Sequence, residues 1–165
     1  MVKLQTYAYI DAANLHSAMK SLDWKLDYAR FRQWLRDKYS VERAYLFIGH
    51  IPEYQDLYTR FRGSGFTLAF KEVVYDRDGK PKGNCDADLV LQAAQDAYEG
   101  NCKQALIVSS DGDYAGLARF LLSRGQLRGI LSPSVPEKCS VLLKRTGASI
   151  AYICDQRSLL EKVLK

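Results

Sequence analysis

At 165 residues, 47% hydrophobic and 26% charged, the chain has the size and composition of one globular domain over residues 1–165, and the composition excludes a disordered protein. No apolar run approaches the roughly 20 residues that span a bilayer, and Met1-Val2-Lys3-Leu4-Gln5 lacks the apolar core of a signal peptide, so a cytoplasmic protein with no membrane partner is expected. The net charge of +5 is compatible with nucleic acid and equally with an ordinary basic surface.

The first strand runs from Leu4 to Ile10 and closes on Asp11-Ala12-Ala13-Asn14, where a short helix begins. Asp11 and Asn14 both reach the strand's carboxyl end, and each singly also reads as a cap or turn residue. Asp27 caps a helix to Tyr39, with Tyr28, Phe31, Trp34 and Leu35 at helical spacing. Arg43 to Ile48 forms a second strand, after which His50 reads as a loop residue or a substrate contact. Tyr54 to Phe61 is helical, and Phe66 to Phe70 is a third strand that can continue to Tyr75. Asp76 to Gly83 is a charged, turn-rich loop centred on Asp78-Gly79.

Asn84 to Tyr98 forms the most informative helix. Asp86 precedes Leu89 and Val90 by three and four residues, so it shares their buried face. Asp88 lies roughly 200° round the helix, on the solvent side with Gln92, Gln95 and Glu99. An acid on a buried stripe is costly unless paired, hydrogen-bonded or metal-bound. Cys102 to Val108 is a fourth strand, ending in Ser109-Ser110-Asp111-Gly112-Asp113-Tyr114. A helix to Ser123, a strand over Leu127–Leu131, a short helix over Cys139–Leu143, a strand over Ala148–Ile153 and a helix over Asp155–Leu164 complete the chain. This alternation predicts a three-layer α/β/α sandwich with a mainly parallel sheet of about five to six strands. Cys85, Cys102, Cys139 and Cys154 share no CxxC spacing, which points to free thiols.

In a doubly wound sheet the first and fourth strands are neighbours at the switch point, where ligands bind. Asp11, Asp86, Asp111 and Asp113 therefore meet at one edge as candidate metal ligands. Oxygen-only donors suit Mg2+ or Mn2+, and Asn14, Ser109 and Ser110 can support them. Such a site would polarise a phosphoryl oxygen and activate water for in-line attack. Arg77, Lys80 and Lys82 could hold substrate phosphates, or form a solvated loop.

Asp11-Ala12-Ala13-Asn14, Lys82-Gly83-Asn84-Cys85-Asp86-Ala87-Asp88 and Ser109-Ser110-Asp111-Gly112-Asp113-Tyr114 together resemble the NYN domains, LabA-like members of the PIN-like nuclease superfamily. Those carry a D-x-x-N turn, a K-G-x-x-D helix start and an S-x-D-x-D/N-[FY] turn in this order. The resemblance implies a PIN-like, Rossmannoid fold. It also implies metal-binding or catalytic roles for Asp11, Asp86, Asp111 and Asp113, support from Asn14, and metal-dependent cleavage of RNA leaving 5′-phosphate ends. Position 88 is often acidic among relatives, against the outward geometry found here. Two other functions compete: an RNA-binding regulatory module that keeps the acids without turnover, and a phosphatase. The phosphatase's D-x-D after the first strand is missing, because Ala12-Ala13-Asn14 follows Asp11. A homodimer or a targeting partner would supply specificity, and Trp24 or Tyr54 could make such contacts or pack in the core.

Overall fold

The computed structural model describes residues 5–82 and 85–163, with residues 81 and 82 as backbone alone. Its centre is a sheet of six parallel strands: β1 (Thr6–Asp11), β2 (Val41–His50), β3 (Phe66–Glu72), β6 (Gln104–Val108), β7 (Leu127–Ser132) and β8 (Ile150–Tyr152). Their spatial order is β3-β2-β1-β6-β7-β8, so strand order reverses between β1 and β6. A separate antiparallel pair, β4 (Val74–Tyr75) and β5 (Pro81–Lys82), forms a hairpin after β3. The third strand thus ends at Glu72 instead of continuing to Tyr75; the chain turns back at Asp76–Gly79, where Gly79 takes φ 75° and Asp76 Oδ1 accepts the Asp78 and Lys80 N–H groups.

Side chains alternate along the central strands. Ala8 and Ile10 of β1 and Leu106 and Val108 of β6 face one core. That core is covered by α1 (Ala12–Lys20), α2 (Tyr28–Tyr39), α3 (Gln55–Gly63) and α7 (Arg157–Leu160). Tyr9, Ala105 and Ile107 face the other, under α4 (Asp86–Glu99), α5 (Ala115–Ser123) and α6 (Val141–Lys144). On α4 the buried residues are Leu89, Ala93, Asp96 and Ala97. Full burial of Leu89 alone is worth about 1.5–3 kcal/mol. Asp96 is the polar member of that stripe. It accepts hydrogen bonds from the Tyr9 hydroxyl at 2.7 Å and from Gln92 Nε2 and Asn101 Nδ2 at 3.0 Å each, which offsets the cost of burying its charge.

Three local expectations need correction. Trp24 is buried in the first core and offers no exposed face, whereas Tyr54 is half exposed. The last helix spans Arg157–Leu160, preceded by a 3-10 turn at Ile153–Gln156, because Glu161 leaves it to pair with Leu26. Asn14 is not the cap of α1; Asp11 is, and its Oδ1 accepts the Asn14 N–H at 3.1 Å. Cys85, Cys102, Cys139 and Cys154 are free thiols. Among the described residues no helix is long and apolar enough to cross a membrane.

Candidate active site

Ile10 pairs with Val108, so β1 and β6 release their chains side by side at the carboxyl edge of the sheet. Asp11 continues the Tyr9 side of β1, the side on which α4 packs. The first residue of α4 is Asp86. One carboxylate oxygen from each of Asp11, Asp86 and Asp111 lies within 4.8 Å of the other two.

Each of the three is held differently. Asp11 is buried and doubles as last strand residue and helix cap. Asp111 Oδ1 accepts the Asp113 N–H at 2.9 Å, and the Asp111 N–H is bound by Ser109 Oγ at 3.1 Å, which locks the turn after β6. Asp86 gains from the start of α4, where the macrodipole favours an acid. The hydroxyl of Tyr114, wholly buried, donates to Asp86 Oδ1 at 2.7 Å and to Asp11 Oδ2 at 3.0 Å. It has one proton, so it serves the two carboxylates by turns or shares it between them. Burial is the first cause that raises the pKa of Asp11; the Asn14 N–H and Tyr114 oppose it, and the charges of Asp86 and Asp111 add to it. Burial, with both acids beside it, likewise keeps the Tyr114 phenol protonated.

The turn is braced from two sides. Asn14 Oδ1 accepts both the Ser110 N–H at 3.0 Å and its hydroxyl at 3.1 Å, tying α1 to the β6 exit. From the other side, Ser134 Oγ lies 2.8 Å from Ser110 Oγ, and the Ser140 N–H donates to the Ser110 carbonyl at 3.1 Å. Gly112 permits this closeness, because a Cβ there would stand 2.5 Å from Ser140 Oγ.

Of the remaining candidates, Asp113 borders the trio and the others lie away from it. Asp113 is exposed; the charge of Asp111 is the first cause that raises its carboxyl pKa, and the charge of Asp86 and a hydrogen bond with its side chain add to it, so it touches the cluster without supplying one of the three converging oxygens. Asp88 points outward to Lys71, 3.8 Å away. Arg77 and Lys80 are exposed on the hairpin turn and do not line the cavity beside the acids. The side chain of Lys82, like Gly83 and Asn84, lies outside the described residues. His50 packs edge-on against Phe70, ring centres 5.0 Å apart. Tyr114 is the residue whose part sequence reasoning missed. Its place in the S-x-D-x-D/N-[FY] turn was the available signal.

Three carboxylates with no histidine or thiolate in the set are the donors that Mg2+ or Mn2+ takes. Cys85, buried beside the cluster, supplies none of the converging atoms; burial first, then the charge of Asp11, pushes its thiol up to about 11. One such ion could be held among Asp11, Asp86 and Asp111, whose oxygens lie within 4.8 Å of one another. A cavity of about 740 Å3 opens beside the acids, lined also by Asn14, His16, Tyr54 and Tyr58.

Residues 5–146 match the model of the NYN domain. The chain belongs to the NYN domain family. NYN domains are part of the PIN-like nuclease superfamily, and this one carries a cluster of acids at the position described. A crystal structure of a protein of unknown function from Vibrio parahaemolyticus shares the fold of this NYN domain, with a TM-score of 0.74, 23% identity and 96% of each chain covered. No curated protein sequence matches the chain.

Proposed function

We propose that this NYN domain is an Mg2+- or Mn2+-dependent endoribonuclease that hydrolyses RNA phosphodiester bonds. The observation that carries the reading is the convergence of Asp11, Asp86 and Asp111, from three separate segments, on one point at the switch of a parallel sheet. When bound, the ion supplies Lewis-acid polarisation of the phosphoryl group and makes water a stronger nucleophile at neutral pH. The chain's own part is preorganisation. Asn14 and Ser110 keep the two loops in register, Tyr114 orients the facing oxygens of Asp11 and Asp86, and the Asp113 N–H fixes Asp111. The adjoining cavity gives RNA its approach. RNA is the expected partner, and target choice would come from a second copy of the chain or a targeting protein.

The test is cleavage of a labelled RNA with Mn2+, with EDTA, and with Asp11→Asn. Loss of cleavage in both EDTA and the variant is expected; activity untouched by either refutes the reading. The alternative is an RNA-binding module without turnover that keeps the same acids and the same Tyr114 bridge. RNA binding with no cleavage under any divalent ion would establish it.

A further inference from the structure

The cavity beside the carboxylates is lined at one end by Tyr28 and Phe61. A second hollow of about 780 Å3 lies beyond, and His16, Tyr28, Leu57 and Phe61 line both. The two hollows adjoin across these four residues, and taken together they make a trough bounded by α1, the start of α2 and α3. The chemistry changes along it. At one end stand the three carboxylates. Next come the exposed ring of Tyr54 and the half-buried Tyr28 and Leu57. The far hollow is rimmed by four exposed cations, Lys20, Lys25, Arg60 and Lys162, against two acids, Asp23 and Asp27. Asp27 is already engaged, as the cap of α2 and 3.7 Å from the Arg30 guanidinium.

The geometry points to this trough as the seat of a single-stranded RNA segment leading away from the scissile phosphate. Lys20, Lys25, Arg60 and Lys162 contact its phosphates, and Tyr28, Tyr54 and Leu57 form the platform for its bases. The argument is complementarity in order. A polynucleotide alternates an anion with an aromatic plane, and the trough offers cations beyond an apolar, aromatic floor. An A-form duplex keeps its bases stacked inside and shows only phosphate and ribose to such a floor, which leaves the apolar stretch without a partner. Unstacked bases supply one. Each hollow falls within the roughly 300–1,000 Å3 of small-ligand sites, the scale of individual nucleotides. The direction of the strand, away from the carboxylates, rests on the nuclease reading; the binding does not.

Fluorescence anisotropy of the full chain in EDTA tests this, using a short labelled single-stranded RNA and a blunt RNA duplex of the same sequence. The variant is Lys20→Ala combined with Arg60→Ala, both exposed, with circular dichroism to verify folding. Counterion release gives each single-strand phosphate contact about fivefold at about 0.1 M salt, so losing two weakens binding about 25-fold and makes the log–log salt slope about 1.4 shallower. Wild type binding the single strand more tightly than the duplex, with that loss in the variant, supports the trough. Equal binding by variant and wild type, or duplex binding as tight as single-strand binding, overturns it. Cleavage in Mn2+ separates the two readings. If nothing cleaves but the variant's binding loss persists, the nuclease reading fails and the trough stands. If wild type cleaves and the variant binds and cleaves equally well, the trough fails and the nuclease reading stands.

Discussion

Replacing Tyr114 with Phe removes one oxygen and keeps a fully buried ring among the side chains under α4 and α5. The lost oxygen donates at 2.7 and 3.0 Å to carboxylates of two different segments. A hydrogen bond to a charged group contributes about 1.5–3 kcal/mol. The two acids then face each other with no donor between them: a pair of unit charges at the 4.8 Å limit of their oxygens, at an effective dielectric constant of about 20, would repel by about 3.5 kcal/mol. Proton uptake by Asp11, whose pKa is already raised, relieves part of that. A net loss of about 2 kcal/mol in EDTA follows, or roughly 4–8 °C in Tm for a domain of this size. A divalent ion would take over the task of holding the carboxylates together, so saturating Mn2+ should at least halve the deficit. Thermal unfolding of both proteins in EDTA and in Mn2+ checks this. No deficit in EDTA, or the same deficit in both, refutes the account of Tyr114 as a bridge within an ion site.

Asp88→Asn should leave both Tm and RNA cleavage near wild type, because its contact is an exposed pair with Lys71 worth less than about 1 kcal/mol, whereas Asp111→Asn should abolish cleavage; parallel assays that rank them the other way reject the inward and outward assignment. Gly112→Ala drives a methyl into Ser140 Oγ at 2.5 Å and Leu142 Cδ1 at 3.0 Å, so it should cost about 1–3 kcal/mol, and an unshifted melting curve would show that α6 gives way freely. Cys85 has its thiol raised to about 11, so native alkylation should be slow at pH 8 and climb steeply above pH 10, read by peptide mass spectrometry. The linked stability effect has a definite sign. The unfolded thiol ionises near its ordinary value of 9.0, before the folded one does at about 11, so Cys85 withdraws stability as pH rises through that window.

Strand and helix alternation was readable because each central strand is a short apolar run, and the adjacency of β1 to the strand that carries Asp111 followed from doubly wound topology. The inward turn of Asp86 was readable from its spacing to Leu89, since a helical wheel needs no tertiary knowledge. Tyr114 was not, because an aromatic at a helix start looks like core and only the fold shows where its hydroxyl points. Asp96 escaped notice for a related reason: it sits on the buried stripe of α4, and its partner Tyr9 is 87 residues away. Trp24 shows the opposite failure, a large aromatic in a polar loop that the first core absorbs. The trough was invisible in sequence because its cations stand at positions 20, 25, 60 and 162, with no local pattern to join them.

The place of β1 in the sheet has a consequence for the chain as it is made. Of the six sheet strands this one is made before the others, and its neighbour β2 begins at Val41, yet its other edge pairs with β6, which begins only at Gln104. Until then the middle of the sheet has an open edge. Asp111, which completes the trio, arrives later still. Emerging amino end first at about 5–20 residues per second, a nascent chain therefore spends several seconds able to form β1–β2 and α1 with no assembled carboxylate cluster. The acid cluster therefore waits on Asp111, which follows Asp11 by 100 residues (111 − 11).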